Sequence, residues 1–248
     1  ETKRIDCIIT VIPASKSTFP SAVKFRNSTL GLGKISLSEP TLTVPSSSYL
    51  VQVETGYLGD VYKIQASCDD VPGFKGWHLK SFHLQELHTK QELYFECNCW
   101  LTLKREDKEL VKEFPAVTED QKTLLVYKYV VSVHIGDHWG AETFANVYIT
   151  LYGKRRDRGV RKRHTSLTKG RKFQRNKVDL FLVEAVSLSH LQKVVIGHDG
   201  EGYGAGMYRK MVTVKESQDS DKEWVFPLWN WLGTPLGLCE TVCEIVTV

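Results

Sequence analysis

The chain repeats itself once, and that repeat limits what it can fold into more than any other feature. Leu58-Gly-Asp-Val-Tyr-Lys63-Ile64 with Asp69 aligns with Leu188-Ser-His-Leu-Gln-Lys193-Val194 with Asp199 at an offset of 130, which still holds at Gly76 and Gly206. One inserted residue then raises the offset to 131. It pairs Tyr94–Leu101 with Val225–Leu232, and Val117 with Val248. A register kept over so long a stretch is the mark of one structural unit copied in tandem. The spacing predicts modules at 1–117 and 125–248, joined by a polar linker at 118–124.

Inside each copy the apolar residues recur every second position. Tyr129, Val131, Val133 and Ile135 alternate with Val130, Ser132 and His134, and Val147, Ile149 and Leu151 alternate with Tyr148 and Thr150. That period is a strand with one buried face. Further strands are predicted at Val178–Val183, Gln192–Ile196, Tyr208–Val214, Glu223–Phe226 and Val242–Val246, and no 3.6-residue apolar stripe is sustained anywhere. Seven or eight short strands per copy imply an all-β sandwich or barrel. A short helix around Ser187–Leu191, or in the basic segment described below, is compatible with the pattern. Trp77, Trp100, Trp224 and Trp231 lie in or beside strands and are expected in the core.

Composition excludes several classes. No window approaches the ~18 apolar residues of a membrane-spanning helix. The Glu1-Thr2-Lys3-Arg4 start has neither Met nor a secretory apolar core, so a soluble segment of a longer protein is expected. Six cysteines in 248 residues are too sparse for a disulfide-stapled secreted domain, which favours a reducing compartment and structural thiols. Catalytic signatures are missing: there is no G-x-S-x-G elbow, no H-E-x-x-H and no P-loop. Gly200-Glu-Gly202-Tyr-Gly204-Ala205 fits a loose dinucleotide pattern, but a strand follows it where a phosphate-binding helix would have to start. His78, His83 and His88 recur at a spacing that suits neither a helix face nor a strand face, which argues against a metal cluster.

Charge is localised. Residues 154–177 hold twelve Lys or Arg and one Asp, a local +11 that leaves −7 for the rest of a chain whose total is +4. Lys154, Arg155, Arg156, Arg158, Arg161, Lys162, Arg163, Arg171 and Lys172 are candidate contacts for an anionic partner. Acidic lipid or protein suits them, and so does a merely solvated loop. Nucleic acid suits them poorly, because Phe173 is the one aromatic among them and stacking platforms need several.

The second copy resembles the PLAT, or lipoxygenase homology, domain. The likeness rests on Tyr129–Gly153, with Gly140-Ala141-Glu-Thr143-Phe-Ala145-Asn146 inside it, then Val178-Asp179-x-Phe181, Ile196-Gly197-His198-Asp199, Gly204-Ala205-Gly206 and Trp224-x-Phe226-Pro227. Residues 5–117 resemble a divergent member, through Gly73-Phe74-Lys75-Gly76-Trp77-His78-Leu79 and Tyr94-Phe95-x-Cys97-Asn98-x-Trp100-Leu101. The resemblance implies two tandem eight-stranded antiparallel β-sandwiches. It also implies a non-catalytic module that binds lipid or protein. Tandem PLAT units with short linkers are similar to the arrays of inner-ear hair cells. That likeness implies a cytoplasmic site beneath the stereocilium membrane and a scaffold role among membrane, membrane proteins, cytoskeleton and neighbouring PLAT modules. An alternative is the membrane-targeting regulatory part of a lipid-metabolising enzyme, and a third is a set of rigid spacers.

By the same resemblance calcium would be held in the second module by Gly140, Glu142, Asn146, Asp157, Asp199 and Glu201, since a hard cation takes oxygen ligands. Phe144 stands where the family has an acid before Ala-Asn, and Gly200 where an Asn or Asp often follows His-Asp. The first module, with Phe19, Pro20 and Ser21 at the corresponding place, lacks the ligands altogether. The competing reading of Asp199 is a turn residue that accepts hydrogen bonds from loop amides. Trp139, Phe144 and Tyr203 fall in the same loops. Their rings either enter a bilayer interface or pack on the rim of the sandwich.

Overall fold

The structure is a computed structural model that describes residues 3–13, 21–27, 32–37, 47–55, 61–68, 77–86, 90–101, 111–117, 123–154, 158–161, 165–166, 170–200, 206–233 and 241–246. The chain divides into two compact units, Glu1–Val126 and Tyr127–Val248. Every regular element among the described residues is a strand. Accordingly, the described parts of the two places compatible with a short helix, 187–191 and the basic segment, hold extended or irregular chain. Short side-chain repeats of period two had no competing 3.6 pattern to override them.

The first unit runs β1 (Lys3–Pro13), β2 (Ser21–Asn27), β3 (Leu32–Leu37), β4 (Ser47–Thr55), β5 (Val61–Cys68), β6 (Trp77–Glu86), β7 (Glu92–Leu101) and β8 (Val111–Pro115). These form two sheets, ordered β4-β1-β6-β7 and β3-β2-β5-β8. The second unit runs β9 (Val126–Ile135), β10 (Val147–Gly153), β11 (Arg158–Arg161), β12 (Thr165–Ser166), β13 (Val178–Val186), β14 (Leu191–His198), β15 (Met207–Lys215), β16 (Glu223–Leu232) and β17 (Val242–Val246). Its sheets are β11-β10-β14-β17 and β12-β13-β9-β15-β16. Setting aside the two-residue β12, the second unit repeats the eight-strand order of the first position for position. The sequence repeat is therefore a repeat of topology, and β11 and β12 are what the basic segment becomes.

Where side chains are described, the inward rows of the sheets are buried in both units. In the second, Tyr129, Val131, Val133 and Ile135 of β9, Phe181 and Val183 of β13, Val212 and Val214 of β15, and Trp224 and Phe226 of β16 meet Ile149, Leu151, Val194, Ile196 and Ile245. Burying each large side chain contributes about 1.5–3 kcal/mol. The Tyr129 hydroxyl, inside this core, accepts a hydrogen bond from the Leu188 amide at 2.9 Å. Trp224 is core as expected, but Trp100 and Trp231 are only half-buried. The side chain of Trp77 lies outside the described residues.

Both units carry the same β-bulge. Leu79 pairs with Cys99 and Ser81 with Glu96, so Cys97 and Asn98 together oppose Lys80. Arg209 pairs with Asn230 and Met211 with Pro227, so Leu228 and Trp229 oppose Lys210. The residue that closes each bulge lies in the left-handed region, Asn98 at φ 38° and Trp229 at φ 52°. Asn tolerates that conformation, whereas a bulky side chain there is strained by about 1–3 kcal/mol. Cys97 in the first bulge is a buried free thiol, and burial pushes its ionisation up.

Two charged features separate the copies. Lys63 Nζ meets Glu113 Oε2 at 2.9 Å with side chains 0% and 2% exposed, while the corresponding pair, Lys193 and Glu244, meets at 3.0 Å with 32% and 62% exposed. Removing one partner of a buried pair strands the other charge, whereas an exposed pair contributes little. Lys63→Met is expected to cost about 3–5 kcal/mol in urea unfolding and Lys193→Met under ~1 kcal/mol; equal losses would contradict the assignment. Second, Arg209 of β15 is fully buried where the first unit has Leu79, and no described oxygen or nitrogen accepts a hydrogen bond from its guanidinium, whose one described counterpart is the Cys243 thiol. Burial pulls its pKa down to about 10. Arg209→Leu is expected to stabilise the second unit by roughly 1–4 kcal/mol, read as a higher urea midpoint at constant slope.

Candidate functional site at the loop end of the second unit

The loop after β9 begins with a constraint. A Cβ added at Gly136 would lie 2.3 Å from Cδ1 of Tyr208, so only glycine lets the chain pass that ring. The Gly136 amide donates to Tyr208 O at 3.0 Å, and the Asn176 amide donates to Gly136 O at 3.1 Å. His138 stacks on Tyr208 at 4.0 Å between centroids, and Trp231 meets Tyr208 edge-on at 5.3 Å. This outward stacking is why Trp231 is not a core residue. A turn follows, closed by the Ala141 amide donating to His138 O at 3.1 Å, with Gly140 at φ +76°. Trp139 is at its apex and is 89% exposed.

The next stretch is tied down residue by residue. The Thr143 amide donates to Phe173 O at 3.2 Å, and Thr143 Oγ1 accepts from the Ala145 amide at 3.1 Å. The Phe173 amide in turn donates to the buried Asp179 carboxylate at 2.6 Å. Phe144, held between these anchors, is 61% exposed. The guanidinium of Arg171 lies 3.9 Å over its ring. Arg175 pairs with Asp137 at 2.7 Å, closing the same end of the sandwich.

Asp199 clasps this loop to the turn after β14. Its Oδ1 accepts from the Asn146 amide at 3.1 Å, its Oδ2 accepts from Asn146 Nδ2 at 2.6 Å, and its own amide donates to Asn146 O at 3.2 Å. His198 beside it is buried, with Nδ1 accepting from the Gly200 amide at 3.1 Å. Burial holds its imidazole below the usual histidine value, and the charge of Arg209 pushes the same way.

Of the six calcium candidates, Gly140, Glu142, Asn146 and Asp199 are among the described residues. Both oxygens of Asp199 accept from Asn146, Glu142 is half-buried, and Gly140 lies in the Trp139 turn. No three His, Cys, Asp or Glu side chains converge among the described residues. Asp157 and Glu201 lie outside the described residues, as do Tyr203, Arg155, Arg156, Lys162 and Arg163. Of the remaining basic candidates, Arg158 and Arg161 are on β11, Lys154 is exposed in the turn after β10, Arg171 lies over Phe144, and Lys172 is half-buried. Sequence reasoning had missed the cation–π pair, since 27 residues separate its members.

Two sandwiches of one topology agree with a comparison in which one family matches the chain twice. The sequence pattern of the PLAT/LH2 domain matches residues 27–112 and 129–236. The chain belongs to the PLAT/LH2 family. Lipoxygenase homology domain-containing protein 1 of Homo sapiens is 33% identical over 183 residues, 73% of this chain and 9% of that protein. Polycystin-1-like protein 3 of Mus musculus is 32% identical over 143 residues, 57% of this chain and 6% of that protein. This chain thus spans less than a tenth of the length of either relative. Among solved structures, coral 8R-lipoxygenase, an enzyme with calcium activation via a C2-like domain, is 19% identical with a TM-score of 0.39. That match covers 50% of this chain and 17% of the lipoxygenase.

The histidines of the second PLAT unit make its stability depend on pH. Burial also lowers the pKa of His134. As pH falls, the unfolded chain takes up these protons near ~6.5, while the folded unit resists until a lower pH. Stability is therefore whole above ~6.5 and is lost as pH falls below that value. Urea midpoints measured from neutral pH downward are expected to fall, and His198→Gln to flatten the decline; a rising midpoint would refute the assignment.

Proposed function

We propose that this chain is a non-catalytic docking segment of two tandem PLAT modules, 1–117 and 125–248 with a linker at 118–124. In this reading the loop end of the second module lies on an anionic membrane surface, and the pair acts as a scaffold between that surface and membrane or cytoskeletal proteins. The observation that carries it is Trp139, 89% exposed at the apex of a turn whose backbone is fixed on both sides. An indole held out in water this way gains most at a membrane interface, where Trp is preferred. Phe144 under Arg171 supplies the matching amphipathic pair, a ring to enter the acyl boundary and a guanidinium to meet phosphate.

The basic segment supports the same reading. Each Lys or Arg near an anionic bilayer contributes about 1 kcal/mol, and residues 154–177 carry a net +11. Because Asp199 is engaged by Asn146, docking in this reading does not require calcium. With the resemblance to hair-cell arrays, the proposed location is cytoplasmic and peripheral to the plasma membrane, beneath that of the stereocilium. No helix among the described residues is long and apolar enough to cross a membrane.

Flotation with phosphatidylcholine vesicles, with and without phosphatidylserine, tests the proposal. The chain is expected to float with the acidic vesicles equally in calcium or EDTA, and less as salt is raised. Trp139→Ala with Phe144→Ala is expected to reduce recovery severalfold, as is Lys154→Glu with Arg171→Glu. Equal recovery on neutral and acidic vesicles would remove the lipid reading.

A further inference from the structure

The bulge common to the two units lets one surface be compared on two copies of the same backbone. On the first unit the outward row beside it is polar and satisfied. Glu92 accepts hydrogen bonds from Gln85 at 2.7 Å and from the Tyr94 hydroxyl at 2.5 Å, and His83 stacks on Tyr94 at 4.2 Å. Glu96 and Asn98 continue that row, both exposed. On the second unit the positions of Tyr94, Glu96 and Asn98 are taken by Val225, Pro227 and Trp229. Val225 is 43% exposed and Trp229 is 59% exposed. Met211 and His134, half-buried and paired across β15 and β9, extend the face inward.

The backbone does not ask for this surface. Asn98 shows that the bulge closes well on a residue that tolerates positive φ, yet the second unit places there a bulky side chain that does not. Strain retained at an exposed side chain points to function rather than to packing. The charges point further. The first unit carries an acid, Glu96, beside its bulge on β7, with no ion pair to Lys80, and in the second unit Pro227 replaces that acid. Lys210 has no ion-pair partner among the described residues, and its Nζ lies 5.3 Å from the centre of the Trp229 ring.

We propose that the outer face of β15 and β16 around this bulge docks an acidic, apolar protein segment. A carboxylate meets Lys210 beside the indole, and an apolar side chain covers Trp229, Pro227 and Val225. Docking is by side chains and not by strand addition. Although β16 is an edge strand, Pro227 has no N–H to offer and the bulge interrupts the ladder. An acidic bilayer is a poorer match, because this face sets one cation, Lys210, beside the indole, enough for a single carboxylate, whereas an anionic surface is recognised by clusters of about 4–8 Lys or Arg. The proposal does not depend on the membrane reading above.

A short random-peptide library displayed on phage, panned on the full chain and counter-selected on Trp229→Asn, tests this. That substitution restores the residue the first unit uses, so the variant is expected to melt at or above the wild-type temperature. Retained sequences are expected to be rich in Asp or Glu next to aliphatic or aromatic residues. By fluorescence anisotropy they are expected to bind about tenfold more weakly to Trp229→Asn and to Lys210→Glu, a loss of about 1.4 kcal/mol. No enrichment over the counter-selection, enrichment in Lys or Arg, or equal binding to the variants would each overturn the proposal. Loss of phosphatidylserine-vesicle flotation in Trp229→Asn would overturn it in favour of a membrane.

Discussion

The second sandwich depends on the register of β15 against β9. Val212 must face Val133, and Arg209 must face Ile135, both inside the core. Residues 209 and 212 are three apart, and a strand of strict period two would send them to opposite faces. The bulge at Lys210 supplies the missing residue and restores the inward row. The first unit solves the same problem in the same place, with Leu79 and Phe82 both buried on either side of Lys80. Slipping either strand by one residue would exchange Val131 and Val133 for Ser132 and His134, so the burial of this row fixes the fold.

Much of this was legible in the sequence. The alternation over 129–135 and 147–151 marks β9 and β10 directly, and the repeat fixes the topology of one unit from that of the other. Beyond the bulge, legibility fails for a physical reason. Once parity has shifted, residue type no longer tells which way a side chain faces, so Arg209 goes inward against its chemistry, and Trp231 goes outward onto Tyr208 and His138 against its own. Trp229 is invisible for the same reason, since an indole within a strand is ordinarily a core residue.

At the loop end the limit is distance along the chain. The exposed aromatics Trp139 and Phe144 stand out in the sequence because they interrupt a loop otherwise fit for small residues. The Asn146–Asp199 clasp spans 53 residues and the Lys63–Glu113 pair spans 50. Nothing local specifies such contacts. Asp199 shows the consequence. The same carboxylate suits a cation site or a loop clasp, and the contact with Asn146 that makes the clasp cannot be read along the chain.

The differences between the copies fall at positions where the shared backbone leaves residue choice free, and their sign is uneven. The first unit fills its inward β6 position with Leu79 and closes its bulge with Asn98, each the locally favourable choice. The second unit has Arg209 and Trp229 there, each unfavourable by a named mechanism, a buried charge with no oxygen or nitrogen acceptor among the described residues and a bulky residue at positive φ. Local rules broken twice around one bulge, while the register on either side is kept, are the pattern expected where a surface has been retained for something other than stability. The exposed ion pair Lys193–Glu244 and the two exposed loop aromatics belong to the same unit. Two copies of one sandwich have thus come to differ in where each breaks the rules of its own fold, and the described departures concentrate in the second.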